Sequence, residues 1–342
     1  MTPSTDWQES IAPGEAERLE RLAEQLRDLQ RRRARGGQAA RALHAKGQAG
    51  LEAEFTVLPD LPDPARQGLF AKPATYKAYV RFSNGVGLRQ SDRKPDVRGI
   101  AIKLVGVEGK KVIPGMEDAP SQDFLAILQR ATPFRDAEEF VWFVLAAEHP
   151  ALLLPRMIAR FGPGRTLGLL RRLPEGLGKP IVSLAANRYF SALPIRFGPY
   201  AVRYALDPRA RVESGARRGL SADYLGEELA ERLEAGPVSW DFRVQFFVDE
   251  ERTPIEDASR DWSETDAPFH TVGRLTLPLQ AVESERGRKV AQFVERLSFD
   301  PWHALVEHRP LGNMMRARNV AYRLSTQERG AAPEPDGGEK FD

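Results

Sequence analysis

The sequence predicts an α+β protein: an antiparallel β-barrel or sheet with helices before, within and after the strands. Three observations carry this expectation. Short β-rich runs punctuated by Pro, Gly and Asp fill residues 51–130. A helical texture replaces them over 136–185, and strand character then returns ahead of a charged helical stretch near 281–297. Strands, inserted helices and strands again, without βαβ alternation, favour antiparallel pairing over a parallel sheet.

The elements follow in order. From Pro13 to about Arg35, Leu19, Leu22, Leu26 and Leu29 recur at spacings of three and four on a charged background, which predicts an amphipathic helix ended by Gly36 and Gly37. Strands are expected at 54–58, 76–83 and 99–105. Phe140, Phe143, Val144 and Ala147 then share one helical face, and GPG and EGLGK break the segments that follow. Later strands are expected at 201–206, 242–248 and 271–277. The polar, Pro- and Gly-rich stretch from Gly330 onward predicts a disordered tail. The domain division is therefore an N-terminal helical arm over 1–35, a main domain over 36–330 and a tail over 331–342.

Composition narrows the function. The chain of 342 residues is 42% hydrophobic and 29% charged, ordinary for a globular protein able to bury a cofactor-sized cavity. Fifty basic against forty-eight acidic residues leave a net charge of +2, which argues against nucleic acid as the partner and for a small molecule. There is no cysteine, so disulfides, thiolate nucleophiles, iron–sulfur clusters and cysteine-ligated haem are excluded. The first twenty residues lack an apolar core and no long apolar run occurs, so a cytoplasmic location without an integral membrane segment is expected. No GxGxxG, Walker or GxSxG motif is present. Of the five histidines, His149, His270, His303 and His308 read as structural, and the spacing of the last two argues against a shared metal.

His44 is different because of its surroundings. RALHAKG (41–47), Phe55, VRFS (80–83) and PDVRGIAIK (95–103) follow one another, and RNVAY (318–322) lies near the C-terminus. In order and approximate spacing these resemble the successive core motifs of haem catalases, over about residues 36–330. The resemblance implies a catalase-like barrel whose helices enclose a haem b, a peroxidase or catalase-like activity on hydrogen peroxide or organic hydroperoxides, and an electron donor of unknown identity. A homo-oligomer is compatible with it.

The resemblance assigns roles residue by residue. Tyr322 is the iron ligand, with Arg318 one helical turn earlier to hold the phenolate form. A phenolate stabilises ferric iron and so suits peroxide chemistry. His44 is the catalytic base, oriented by the Ser83 hydroxyl. Arg41, Arg81 and Arg329 are candidates for the haem propionates. Phe134 is expected near the haem edge.

Two departures from the catalase pattern stand out. Typical catalases carry a distal asparagine in a GNNTP-type turn, whereas the comparable stretch here is EDAPSQDFL (117–125), in which Gln122 is the candidate replacement amide. The chain also runs only just past the RNVAY segment. A shorter wrapping region predicts a wider pocket, with Leu152, Leu153, Leu154, Met157 and Phe161 as an apolar access wall. These departures keep two other readings open: a fatty-acid hydroperoxide isomerase or dehydratase resembling allene oxide synthase, and a haem-binding protein with little turnover.

Overall fold

The computed structural model describes residues 2–34, 41–177, 181–209 and 221–342. Nine strands are joined into one sheet: β1 (Gly47–Val57), β2 (Ala74–Asn84), β3 (Arg98–Val105), β4 (Ser121–Ile127), β5 (Tyr189–Phe190), β6 (Ile195–Phe197), β7 (Tyr200–Pro208), β8 (Val238–Phe246) and β9 (Phe269–Leu277). The order is β5-β4-β3-β2-β1-β9-β8-β7-β6, and β5 also pairs with β7. That last pairing closes eight strands into an antiparallel barrel and leaves β6 as an appendage on β7. Closure removes the exposed edges that an open sheet would present.

Strand alternation divides the barrel into an inner and an outer face. Inward positions are aromatic and tightly packed. Phe242 lies 5.3 Å from Phe55, 5.0 Å from Phe124 and 5.1 Å from Tyr204, centroid to centroid. Phe70, from a short helical turn after β1, plugs one end at 5.7 Å from the same ring. The interior is thus a filled core with no space for a cofactor. Any site must lie outside it.

The helices supply the outer layer: α1 (Glu15–Ala34), α2 (Ala137–Ala146), α3 (Pro150–Leu177), α4 (Tyr224–Ala235), α5 (Glu285–Arg296) and α6 (Asn313–Arg329). The stripe predicted for α1 is buried at Leu19, Leu26 and Leu29, and packs on α6. The glycine stop at 36–37 lies outside the described residues. Asp136 caps α2 by accepting from the Glu139 N–H at 2.9 Å, and Ser284 caps α5 from the Gly287 N–H at 3.0 Å. No helix among the described residues is long and apolar enough to cross a membrane.

The C-terminal tail corrects the expectation of disorder. Phe341 is buried against Tyr79 and Phe293, and Glu339 accepts from the Tyr79 hydroxyl at 2.8 Å. Glu334 reaches the buried Lys103 ammonium at 2.5 Å, beside Asp123 at 2.7 Å and His303 at 3.2 Å. Composition could not reveal this, because one aromatic anchor and one buried ion pair outweigh a polar average. Asp123, His303 and Glu334 would make a plausible metal-ligand set, but the Lys103 ammonium already occupies their centre. Deleting 331–342 strips Lys103 of one carboxylate and should cost on the order of 3 kcal/mol. An unchanged denaturation midpoint would show that the tail contributes nothing.

Candidate functional site

A cavity of about 430 Å³ lies between the outer face of β2, β3 and β4 and helices α1, α2 and α6. Its size falls within the range of roughly 300–1,000 Å³ usual for cofactor pockets. Two cross-strand rows form its floor: Arg81 pairs with Ala101 and Ala101 with Leu125, while Ser83 pairs with Gly99 and Gly99 with Ile127. Period-two alternation sends every one of these side chains away from the aromatic core.

His44 enters this cavity from the loop before β1. Its backbone adopts φ 57°, a left-handed conformation uncommon for a residue with a side chain. The loop is pinned to the extension of β2: the His44 N–H donates to the Gly85 carbonyl at 3.0 Å, and the Lys46 N–H to Asn84 Oδ1 at 2.9 Å. The His44 Nδ1 lies 3.0 Å from the Ser83 hydroxyl, which leaves Nε2 for the cavity. Burial, reinforced by Arg81, Arg318 and Arg41, lowers the His44 pKa to about 3. The ring is therefore neutral and able to accept a proton at all ordinary pH values.

Gly99 makes room for that ring. A Cβ built there would stand 3.1 Å from His44 Cε1 and 3.3 Å from Nδ1. Gly99→Ala is expected to push the imidazole off its Ser83 hydrogen bond and slow peroxide reaction on the order of tenfold, with haem content unchanged. Stopped-flow rates at equal haem content would check it, and a parent-like rate would show that the ring position is not limiting.

Tyr322 reaches the cavity from α6. The Arg318 guanidinium donates to its phenolic oxygen at 2.8 Å and lies 5.0 Å over the ring. Burial works against the Arg318 charge, yet Tyr322, Tyr204 and Asp300 hold its pKa above the usual arginine value. The helix itself is anchored elsewhere. Arg316 pairs with Glu9 at 2.7 Å, Glu15 at 2.5 Å and Glu256 at 3.1 Å, joining α6 to the N-terminal segment, α1 and the loop after β8. The sequence reading missed this anchor, because its partners are up to three hundred residues apart and share no local signal.

At one edge Arg41, Arg81 and Arg329 come together as expected. Arg41 meets Glu295 Oε1 at 2.5 Å and Arg81 meets Oε2 at 2.8 Å, while Arg329 donates to the Leu297 carbonyl at 3.1 Å. Burial and the neighbouring Arg81 pull the Arg41 pKa down to about 9. Burial raises the Glu295 pKa, but Arg81 and Arg41 outweigh it and keep the carboxyl below its usual range. Two guanidinium groups thus share one carboxylate while the third donates to backbone carbonyls, and all three line the cavity. The surplus of positive charge is what two further carboxylates would neutralise.

Gln122 is a correction. Its Oε1 accepts from the Leu305 N–H at 2.8 Å and its Nε2 donates to the Asp123 carbonyl at 3.2 Å, on the inward face with Phe124 and away from the cavity. An even-numbered position on β4 points into the barrel, and no local pattern reveals that register. The amide side chains that do line the cavity among the described residues are Gln30 and Gln129.

The expected access wall is also displaced. Phe134 lines the cavity and packs 5.1 Å from Phe143, and Phe140, Val141 and Val144 of α2 continue the wall to Leu173 of α3. Met157 is buried and Phe161 packs on Trp142 at 4.8 Å, while Leu152 and Leu154 face outward. None of these four lines the cavity. Leu19, Leu22, Ala23 and Leu26 of α1 complete the wall instead, so the N-terminal arm is part of the site.

A catalase-related peroxidase of Mycolicibacterium paratuberculosis is 32% identical over 316 residues, covering 86% of this chain and 92% of its own length. The chain belongs to the catalase-related peroxidases. Catalase A of Emericella nidulans is 26% identical over 265 residues, covering 69% of this chain but 34% of that protein. A bacterial catalase structure matches with a TM-score of 0.64 at 18% identity, and a fungal catalase with 0.69 at 18%. Each covers 96% of this chain, which spans 63% and 65% of theirs, so the catalase-like barrel is shared within longer proteins. No family model matches the chain. Within the catalase-like superfamily, this catalase-related peroxidase keeps the barrel and its outer cavity in a chain of 342 residues.

Proposed function

We propose that the protein is a cytoplasmic haem b peroxidase acting on hydrogen peroxide or organic hydroperoxides with a separate electron donor. One observation carries this reading: a single cavity presents the Tyr322–Arg318 pair, the His44–Ser83 pair and a cluster of three arginines, two of which share the Glu295 carboxylate.

The donor set fits a haem. Tyr322 would hold the iron through its phenolic oxygen, with the Arg318 guanidinium donating to that oxygen. Arg41, Arg81 and Arg329 would meet the propionates. When bound, the haem supplies the redox-active iron that takes part in cleaving the peroxide O–O bond. His44 accepts a proton from the incoming peroxide at Nε2 and returns it to the departing oxygen. Ser83 holds the imidazole in the orientation that leaves Nε2 free, and burial, reinforced by the arginines, keeps the ring unprotonated between turnovers.

The environment of His44 favours peroxidase turnover over dismutation. Gln122, the candidate amide for holding a second small peroxide, points away from the cavity. A missing hydrogen bond there removes about 1 kcal/mol of stabilisation, more in a dry pocket. Weak oxygen evolution is expected beside measurable oxidation of a small aromatic donor, from one preparation at one haem content. Oxygen evolution typical of long catalases without donor oxidation would overturn this reading.

The apolar wall of Phe134, Phe140, Phe143, Val144 and Leu173 favours one second reading, rearrangement of a fatty-acid hydroperoxide in the same cavity. Product analysis separates them: a rearranged lipid formed without donor oxidation would identify the isomerase.

A further inference from the structure

The outer surface of α3 has no role in the haem site, and its composition is unlike the rest of the surface. Of nine large apolar side chains exposed among the described residues, five lie here: Leu152, Leu154, Ile158, Leu167 and Leu170, each 42–50% exposed. Between Pro150 and Leu173 the same segment carries Arg156, Arg160, Arg165, Arg171 and Arg172 and no acidic residue. Arg165 turns inward to Glu139 at 2.5 Å, and Arg160 stands 4.0 Å from Glu138. Arg156 and Arg171 are exposed and make no ion pair among the described residues.

We propose that this face docks the protein on an anionic phospholipid bilayer, the leucines entering the headgroup–acyl boundary and the arginines meeting lipid phosphates. The spacing suits an interfacial helix. Leu154 and Ile158 are one turn apart on one flank and Arg156 and Arg160 one turn apart on the other, while Met157 and Leu169 face the protein as buried anchors. Arginine stems lie along apolar surface while their heads reach the phosphates. The face lies on the bilayer and does not span it: Gly162, at φ 75°, breaks α3 into two arms, each shorter than the roughly 20 apolar residues a span requires.

Charge also decides against a second copy of the chain as the occupant. A twofold contact through this face would bring the arginines of both copies together with no acidic residue of the segment to pair them, whereas an anionic leaflet neutralises them. Leu173 and the α2 residues Phe140 and Val144 line the cavity on the inner side of the same unit, so docking would bring the apolar cavity wall to the bilayer surface.

Cosedimentation of the haem-loaded full chain with vesicles tests this. Binding is expected to vesicles of equimolar phosphatidylglycerol and phosphatidylcholine. It should fall at least about tenfold on pure phosphatidylcholine, and fall steeply near 1 M salt, where the screening length shrinks to about 3 Å. Leu154→Asp with Ile158→Asp should weaken binding by about tenfold or more. Arg156→Gln and Arg171→Gln should each weaken it about fivefold. Arg288→Gln, on α5, should leave it unchanged. Peroxidase turnover in solution should stay at the parent level in every variant, which shows that they fold. Absence of vesicle binding by the parent, or binding unaffected by the α3 substitutions, would overturn the proposal. Lipid-free self-association abolished by those substitutions would equally overturn it and make the face a protein interface.

Discussion

Tyr322→Phe is expected to give a folded protein that does not retain haem. The substitution removes one oxygen, and α6 keeps its position because the Arg316 network with Glu9, Glu15 and Glu256 does not involve Tyr322. Losing partners that only orient a ligand typically costs about 10–100-fold in metal affinity, so loss of the ligand itself should exceed about 100-fold. Arg318→Ala should fall in the lower range, since it leaves the phenol in place without its donor at 2.8 Å. Haem titration followed by the Soret band checks both, with circular dichroism to confirm folding. A Tyr322→Phe protein with parent affinity and an unchanged spectrum would remove Tyr322 from the ligand role.

His44→Ala should retain haem and lose reaction with peroxide by about 100-fold or more, the usual contribution of a positioned general base. The groups proposed to hold the haem are elsewhere, on α6 and at the arginine cluster beside Glu295, so occupancy is the control. The pH dependence follows from the pKa of about 3, lowered by burial and by Arg81, Arg318 and Arg41. Nε2 is unprotonated above that value, so the rate should stay flat through neutral pH and fall only on strong acidification as the ring takes a proton. Ser83→Ala should cost less, because it frees the ring without removing it. A His44→Ala protein that reacts at the parent rate would show that another group handles the proton. A parent rate falling in step with an ordinary histidine near pH 6.5 would show that burial and the arginines do not depress the ring.

The sequence was informative where chemistry is local. RALHAKG and VRFS each place a site residue beside an element boundary, RNVAY places Arg318 and Tyr322 one turn apart on α6, and His44, Ser83, Arg41, Arg81, Arg318, Tyr322, Arg329 and Phe134 all line one cavity. Short β-rich runs located six strands, although β1 begins at Gly47, directly after the His44 loop, and not at residue 54. The strand β4 carried no alternation a reader could follow, because Ser121, Gln122 and Asp123 are polar yet buried. Gln122 was misplaced for that reason.

The amino-acid order alone settled the element types and the absence of thiol chemistry, and its resemblance to haem catalases pointed to the groups proposed to ligate iron or move a proton. Those properties depend on residue type and on spacings of a few positions. Tertiary structure decided the rest: that the barrel is filled with aromatic rings and the cavity lies on its outer face, that α1 lines it, that Glu295 gathers three arginines, and that the tail ends buried against Lys103 and Tyr79. Each of these turns on which side of a strand a residue faces or on a partner hundreds of positions away. One step of register reverses the first, and no local pattern encodes the second.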